Sequence, residues 1–149
     1  MTGDGAIHLL IERAREEYET ATQNLGIATT QRDRQIEKLQ MLKDYRTEYR
    51  GRLQHSSAAG MGVAQLINFQ RFLEQLDQAV EQQSAAAQRA EGTLGFVRNQ
   101  WQEAHRRLRS YEILQTRKAT AEQRVTARKE QRESDAHAQR IAQARKSPF

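Results

Sequence analysis

The sequence predicts an all-α protein: two long helices folded into an antiparallel coiled-coil hairpin, the second helix longer and continuing as a C-terminal overhang. Two observations carry this. Apolar residues repeat in alternating steps of four and three on both sides of one glycine-containing gap, for about six heptads each. The two stripes also match when one is laid against the other in reverse. A period of 3.5 residues keeps one seam of a helix facing a partner over its whole length, which amphipathic helices of ordinary globular domains seldom do.

The first helix is expected over about 6–53. Its stripe runs through Ile7, Ile11, Ala14, Tyr18, Ala21, Leu25 and Ala28, then Leu39, Leu42, Tyr49 and Leu53, with Arg32, Gln35 and Arg46 at the remaining heptad positions. The gap, about 54–62, reads Gln54-His55-Ser56-Ser57-Ala58-Ala59-Gly60-Met61-Gly62, where small residues and two glycines favour a chain reversal. The second helix is expected over about 63–140. Its stripe is Leu66, Phe69, Leu73, Leu76, Val80, Ala87, Ala90, Leu94, Val97, Trp101, Ala104, Leu108 and Tyr111, broken by Gln83.

Folding back at the gap makes facing residue numbers sum to about 118 or 119. Leu53 then meets Leu66, Tyr49 meets Phe69, Leu42 meets Leu76, Leu39 meets Val80, Leu25 meets Leu94, Tyr18 meets Trp101 and Ile11 meets Leu108. Gln35 faces Gln83, so two amides that would each be costly alone in a seam can satisfy one another and fix the register.

Beyond Tyr111 the stripe fades where the first helix runs out. Residues 116–145 are rich in Ala, Arg, Lys, Glu and Gln, with Val125 and Ile141 the only large aliphatics, so a partnerless helix is expected. Some 30 residues of it would extend roughly 45 Å before fraying toward Pro148, the only proline. The expected domain organisation is a single coiled-coil domain over 1–149 with a frayed C-terminal tail. Such a seam buries little apolar surface, so stability should be modest.

Charge is uneven. From Arg106 onward there are 12 Lys and Arg against 5 Asp and Glu, while the preceding residues carry 12 against 14. The bland reading of this basic third is a solvated helix face; the functional one is an electrostatic handle for an acidic partner. Nucleic acid is disfavoured, because Glu112, Glu122, Glu130, Glu133 and Asp135 interrupt the basic residues and the tail lacks aromatics for base stacking. The absence of cysteine fits a reducing compartment, no apolar run approaches the roughly 20 residues of a membrane span, and the N-terminus does not read as a signal peptide, so a cytoplasmic location is expected.

No catalytic, cofactor or metal site is expected. His8, His55, His105 and His137 are scattered without partners at ligand spacing, and Gly60-Met61-Gly62 lacks the lysine and later glycine of a phosphate loop. What remains is a set of apolar residues beside the seam. Tyr45 and Lys38 share one heptad position, Phe72 and Ala79 its equivalent on the second helix, and the fold brings Tyr45 level with Phe72. An aromatic pair near the hairpin tip, rimmed by Leu42, Tyr49 and Leu76, has the character of a protein-binding patch; the alternative is that the rings merely cover the edge of a thin seam. Gly92 and Gly95 mark a soft or bent stretch of the second helix or a tolerated accident.

The segment from Glu37 to Arg50, with its spaced Tyr45 and Tyr49, and the segment Leu66-Ile67-Asn68-Phe69-Gln70-Arg71-Phe72-Leu73-Glu74-Gln75-Leu76 resemble the FliJ family of flagellar type III export proteins. Trp101, Arg107, Leu108, Tyr111, Leu114 and Gln115 continue the resemblance in the same frame. It implies a non-enzymatic stalk and adaptor, similar in shape to the central stalk of rotary ATP synthases. The implied partners are the hexameric flagellar export ATPase, the cytoplasmic domain of the membrane export gate and export chaperones. The implied location is the cytoplasm, peripherally at the inner membrane of the flagellar base, with a monomer expected in isolation. Onto the family's exposed tip patch map Leu42, Tyr45, Tyr49, Phe72, Leu76 and Ala79. Lys38 and Gln83 belong to the same patch but depart from the familiar glutamine and histidine. The open end, with Arg106, Arg107 and Arg109, suits contact with the ATPase ring. Two readings remain beside this one: a self-associating structural coiled coil, and a basic helix binding nucleic acid.

Overall fold

A computed structural model describes residues 2–146, with side chains from Gly3 onward. The protein is all-α. Helix α1 spans Thr2–Ala58 and α2 spans Val63–Lys146. The frayed tail expected after about 140 lies partly outside the described residues; as far as Lys146 the chain is helical.

Both helices exceed their expected limits, for local reasons. α1 continues through His55-Ser56-Ser57 because Ser56 occupies the next seam position after Leu53 and is half-buried there. It ends where Gly60 adopts φ 91°, a left-handed conformation that costs glycine little. The Gly60 amide donates to the Ser57 carbonyl at 3.3 Å, closing the last turn in the manner of a glycine C-cap. At the other end α1 begins at Thr2 despite Gly3 and Gly5, and Asp4 of this first turn accepts a 2.7 Å ion pair from Lys118.

The chain packs as two units. One comprises residues Glu17–Ala104 and the other the residues up to Glu16 with those from His105 onward. In the first, α1 and α2 run antiparallel on both sides of the turn. Tyr49 stacks on Phe69 with ring centroids 5.6 Å apart, and Tyr18 lies 5.9 Å from Trp101. Ala28, Leu76, Val80, Ala87, Leu94 and Ala104 are its buried residues, all at predicted seam positions. Leu94 is the most enclosed, at 1% exposure. In the second unit Ile11, Ala14 and Leu108 are buried, again on the seam, and the Asp4–Lys118 pair lies two to three turns beyond them. There every described side chain from Ala119 to Lys146 is exposed.

The paired amides form as the register requires. Gln83 Nε2 donates to Gln35 Oε1 at 2.7 Å and to the Gln35 carbonyl at 3.0 Å. Changing Gln35 to leucine removes one acceptor and leaves the other, so the single substitution is expected to cost about 1 kcal/mol. Adding Gln83→Leu should recover or exceed the original stability, because the layer becomes apolar on both sides. Urea melts of the two single variants and the double variant check this; independent effects in the cycle rule out a functional pair.

The Lys118 ammonium, by hydrogen bond and by charge, holds the Asp4 carboxyl below its ordinary value. A carboxyl whose folded value is depressed contributes stability above its unfolded value and loses it as pH falls through the folded one. Protection factors for hydrogen exchange in the first turns of α1, with the intrinsic pH dependence of amide exchange divided out, should therefore fall modestly as pH drops below the usual carboxylate range. Asp4→Asn should remove that acid dependence and leave a constant, lower protection factor.

Candidate protein-binding surface

Heptad geometry leaves two flanks beside the seam, and in the Glu17–Ala104 unit they differ in chemistry. One flank is closed by polar pairs. Arg46 and Arg50 both reach Asp77, at 3.3 and 3.1 Å, Arg32 reaches Glu91 at 3.3 Å, and Trp101 Nε1 donates to Thr22 Oγ1 at 3.0 Å. Exposed ion pairs of this kind add little net stability, so their main effect is to cover this flank. Arg46 carries a cost as well: its Nε is buried at a seam position without a hydrogen-bond partner.

The other flank is apolar near the turn. Tyr45 and Phe72 meet edge to face with centroids 6.2 Å apart, and Tyr49 packs against Phe72 at 4.5 Å and Tyr45 at 5.1 Å. Such contacts add to the apolar burial of each ring. The Arg52 guanidinium lies 5.6 Å over the Tyr49 ring and shields its outer face. The neighbouring Tyr49 hydroxyl, helped by partial desolvation, holds the Tyr45 phenol above its ordinary value. Tyr45 therefore stays neutral across physiological pH and offers a hydroxyl together with an apolar edge.

The predicted site residues take different places around this cluster. Tyr45 is 43% exposed, while Tyr49, Phe72, Leu42 and Ala79 are half-buried. Leu76, at 7% exposure, supports the rings from within the seam and presents little surface. Lys38 is exposed one heptad before Tyr45, level with Ala79. Gln83 is half-buried and committed to Gln35, so it lies at the margin of the patch. Arg106, Arg107 and Arg109 belong to the other unit and are exposed there. One residue escaped the sequence reading: Met41, one helical turn before Tyr45 and 65% exposed, extends the apolar surface. Its spacing carries the signal, since residues four apart on a helix share a face.

Among the described residues no group of His, Asp and Glu side chains is placed to hold a metal ion, and no helix is long and apolar enough to cross a membrane. The fold and this surface define a coiled-coil hairpin with an aromatic cluster beside its seam. The chain matches the model of the family described as Flagellar FliJ protein over residues 4–147. It is 32% identical over 142 residues to the Flagellar FliJ protein of Escherichia coli (strain K12), covering 95% of this chain and 97% of that one. It is 30% identical over 142 residues, with the same coverage of both chains, to the Flagellar FliJ protein of Salmonella typhi. The chain belongs to the FliJ family of flagellar proteins.

Proposed function

We infer that this protein is a non-enzymatic stalk and adaptor of flagellar type III protein export. In this reading it links the hexameric export ATPase to the cytoplasmic domain of the export gate and also binds export chaperones. It acts as one coiled-coil domain over residues 1–149, monomeric in isolation, in the cytoplasm and peripherally at the membrane of the flagellar base.

The observation that carries the reading is the aromatic cluster of Tyr45, Tyr49 and Phe72, three rings packed together beside the seam. The rings are already ordered by mutual packing, so a partner that covers them gains apolar burial without the cost of immobilising flexible side chains. The patch, with Met41, Leu42 and Ala79 around it, Leu76 beneath and Lys38 and Gln83 at its margin, is assigned to the gate. Arg106, Arg107 and Arg109 are assigned to the ATPase, where positive charge complements an acidic surface and speeds association.

Capture of the tagged protein from flagellated cells tests this reading, with recovery of the export ATPase and the export gate as the expected result. Recovery of neither partner, from cells that assemble flagella normally, would sink it.

A further inference from the structure

The stretch of α2 beyond Lys118 is a helix whose described side chains are all exposed. A lone helix of this kind has no packing to hold it, and one that is polar all round is marginal in water unless something covers it. Its charges are nevertheless not mixed evenly around the axis. At 100° per residue Arg117, Arg124 and Arg128 fall within an arc of about 40°. Ala121 borders this arc on one side, and Leu114, 53% exposed, lies next to Ala121 on the same side, one turn before Arg117. Glu122, Glu130 and Glu133 project on the opposite side, centred roughly 170° away, while Asp135, one heptad after Arg128, falls on the arginine side and ends the basic stripe there. No hydrogen bond or ion pair within the described residues engages the guanidinium groups of Arg117, Arg124 and Arg128.

We propose that the stripe Leu114, Arg117, Ala121, Arg124, Arg128 is a docking surface for an acidic amphipathic helix of a protein partner. Arginines seven and four residues apart span about 16 Å in a straight line, the spacing that carboxylates seven and four residues apart present on a second α-helix. Leucine at one end and alanine beside the charges call for an apolar contact at the same time, which a helix with one leucine among its carboxylates supplies and a phosphate backbone does not. The glutamates on the far side restrict binding to one face, and no Phe, Tyr or Trp between Glu112 and Lys146 offers a base-stacking platform. This surface is separate from the aromatic patch, and the inference stands without any assignment of export partners.

The test uses the full chain and a fluorescently labelled, stapled alanine-rich helical peptide of about three heptads. The peptide carries three glutamates at spacings of seven and four residues and one leucine. Fluorescence anisotropy is read at about 50 and about 200 mM salt, where screening of exposed charges differs most usefully. Expected results are saturable binding that weakens at the higher salt and a loss of about tenfold or more for Arg117→Glu/Arg124→Glu/Arg128→Glu. Lys129→Glu/Arg140→Glu/Arg145→Glu, which changes net charge equally but lies off the stripe, should lose less than about threefold. A peptide of the same composition with scrambled glutamates should bind several-fold more weakly. The corresponding glutamine variants, checked for helicity by circular dichroism, keep the result readable should the glutamate stripe variant lose helix.

Failure of the designed peptide to bind overturns the proposal. Equal losses in the two triple variants overturn it too, since net charge alone would then act. So does equal binding of the scrambled peptide, or tighter, stripe-dependent binding of a nucleic-acid duplex.

Discussion

With Tyr45 and Phe72 both changed to alanine, the chain is expected to lose binding to the purified cytoplasmic domain of the export gate by about a hundredfold, two aromatic anchors of roughly 1–2 kcal/mol each. Its helicity should stay almost unchanged. Tyr45 lies beside the seam and is 43% exposed, so its truncation empties no buried layer. Phe72 is half-buried against Tyr49, and its loss will loosen that ring without touching Leu76 or Val80 beneath. Met41→Ala should add a smaller loss, as expected of a residue that extends the patch and does not anchor it. The companion variant reverses charge at Arg106, Arg107 and Arg109. It should retain the gate domain, weaken the export ATPase, and change the salt dependence of that second interaction. Binding of each variant to each purified partner at two salt concentrations makes the comparison. Unchanged affinity of both variants for both partners means that the exposed rings only cover the seam.

Leu94→Ala is the substitution with the largest expected effect on stability. Leu94 is the most enclosed side chain of the Glu17–Ala104 unit, in the layer that register pairs with Leu25. Truncation of a buried leucine costs about 2–5 kcal/mol through lost transfer free energy and the cavity left behind. A two-helix seam has no third layer to collapse into that cavity, and its buried residues are few, so the loss is a large share of a modest total. Chemical denaturation should show a clear drop in midpoint. The matching change at Ile27, 57% exposed two residues from Leu25, should leave the midpoint within about 0.5 kcal/mol of its starting value. Similar losses at both positions would show that the seam is not where the stability of this unit resides.

The seam was legible in the chain because the 3.5-residue period is a property of consecutive residues and needs no knowledge of the partner helix. Among the described residues every buried one lies on the predicted stripe, and the Gln35–Gln83 pair follows from the same register. The aromatic cluster was legible to the same degree: once Tyr49 faces Phe69, heptad position alone puts Tyr45 beside Phe72.

The start of α2 at Val63 was legible from the glycines before it, but the other helix ends were not. His55-Ser56-Ser57 has the composition of a turn, yet Ser56 falls on a seam position, and packing there outweighs a weak local propensity. The structure likewise decided that Leu76 lies beneath the patch while Met41 lies on it, because burial depends on how two side-chain surfaces interlock across the seam. It also decided which flank is covered. Arg46, Arg50 and Asp77 read in the chain as three scattered charges, and only the docking of one helix on the other brings both guanidinium groups to a single carboxylate. By itself the sequence determined the fold class, the pairing register and the family resemblance, since each is written in a periodicity or a motif along one chain. The tertiary structure alone decided where the helices stop, which apolar residues stay exposed, and which flank the ion pairs close, because each depends on distances between residues far apart in sequence.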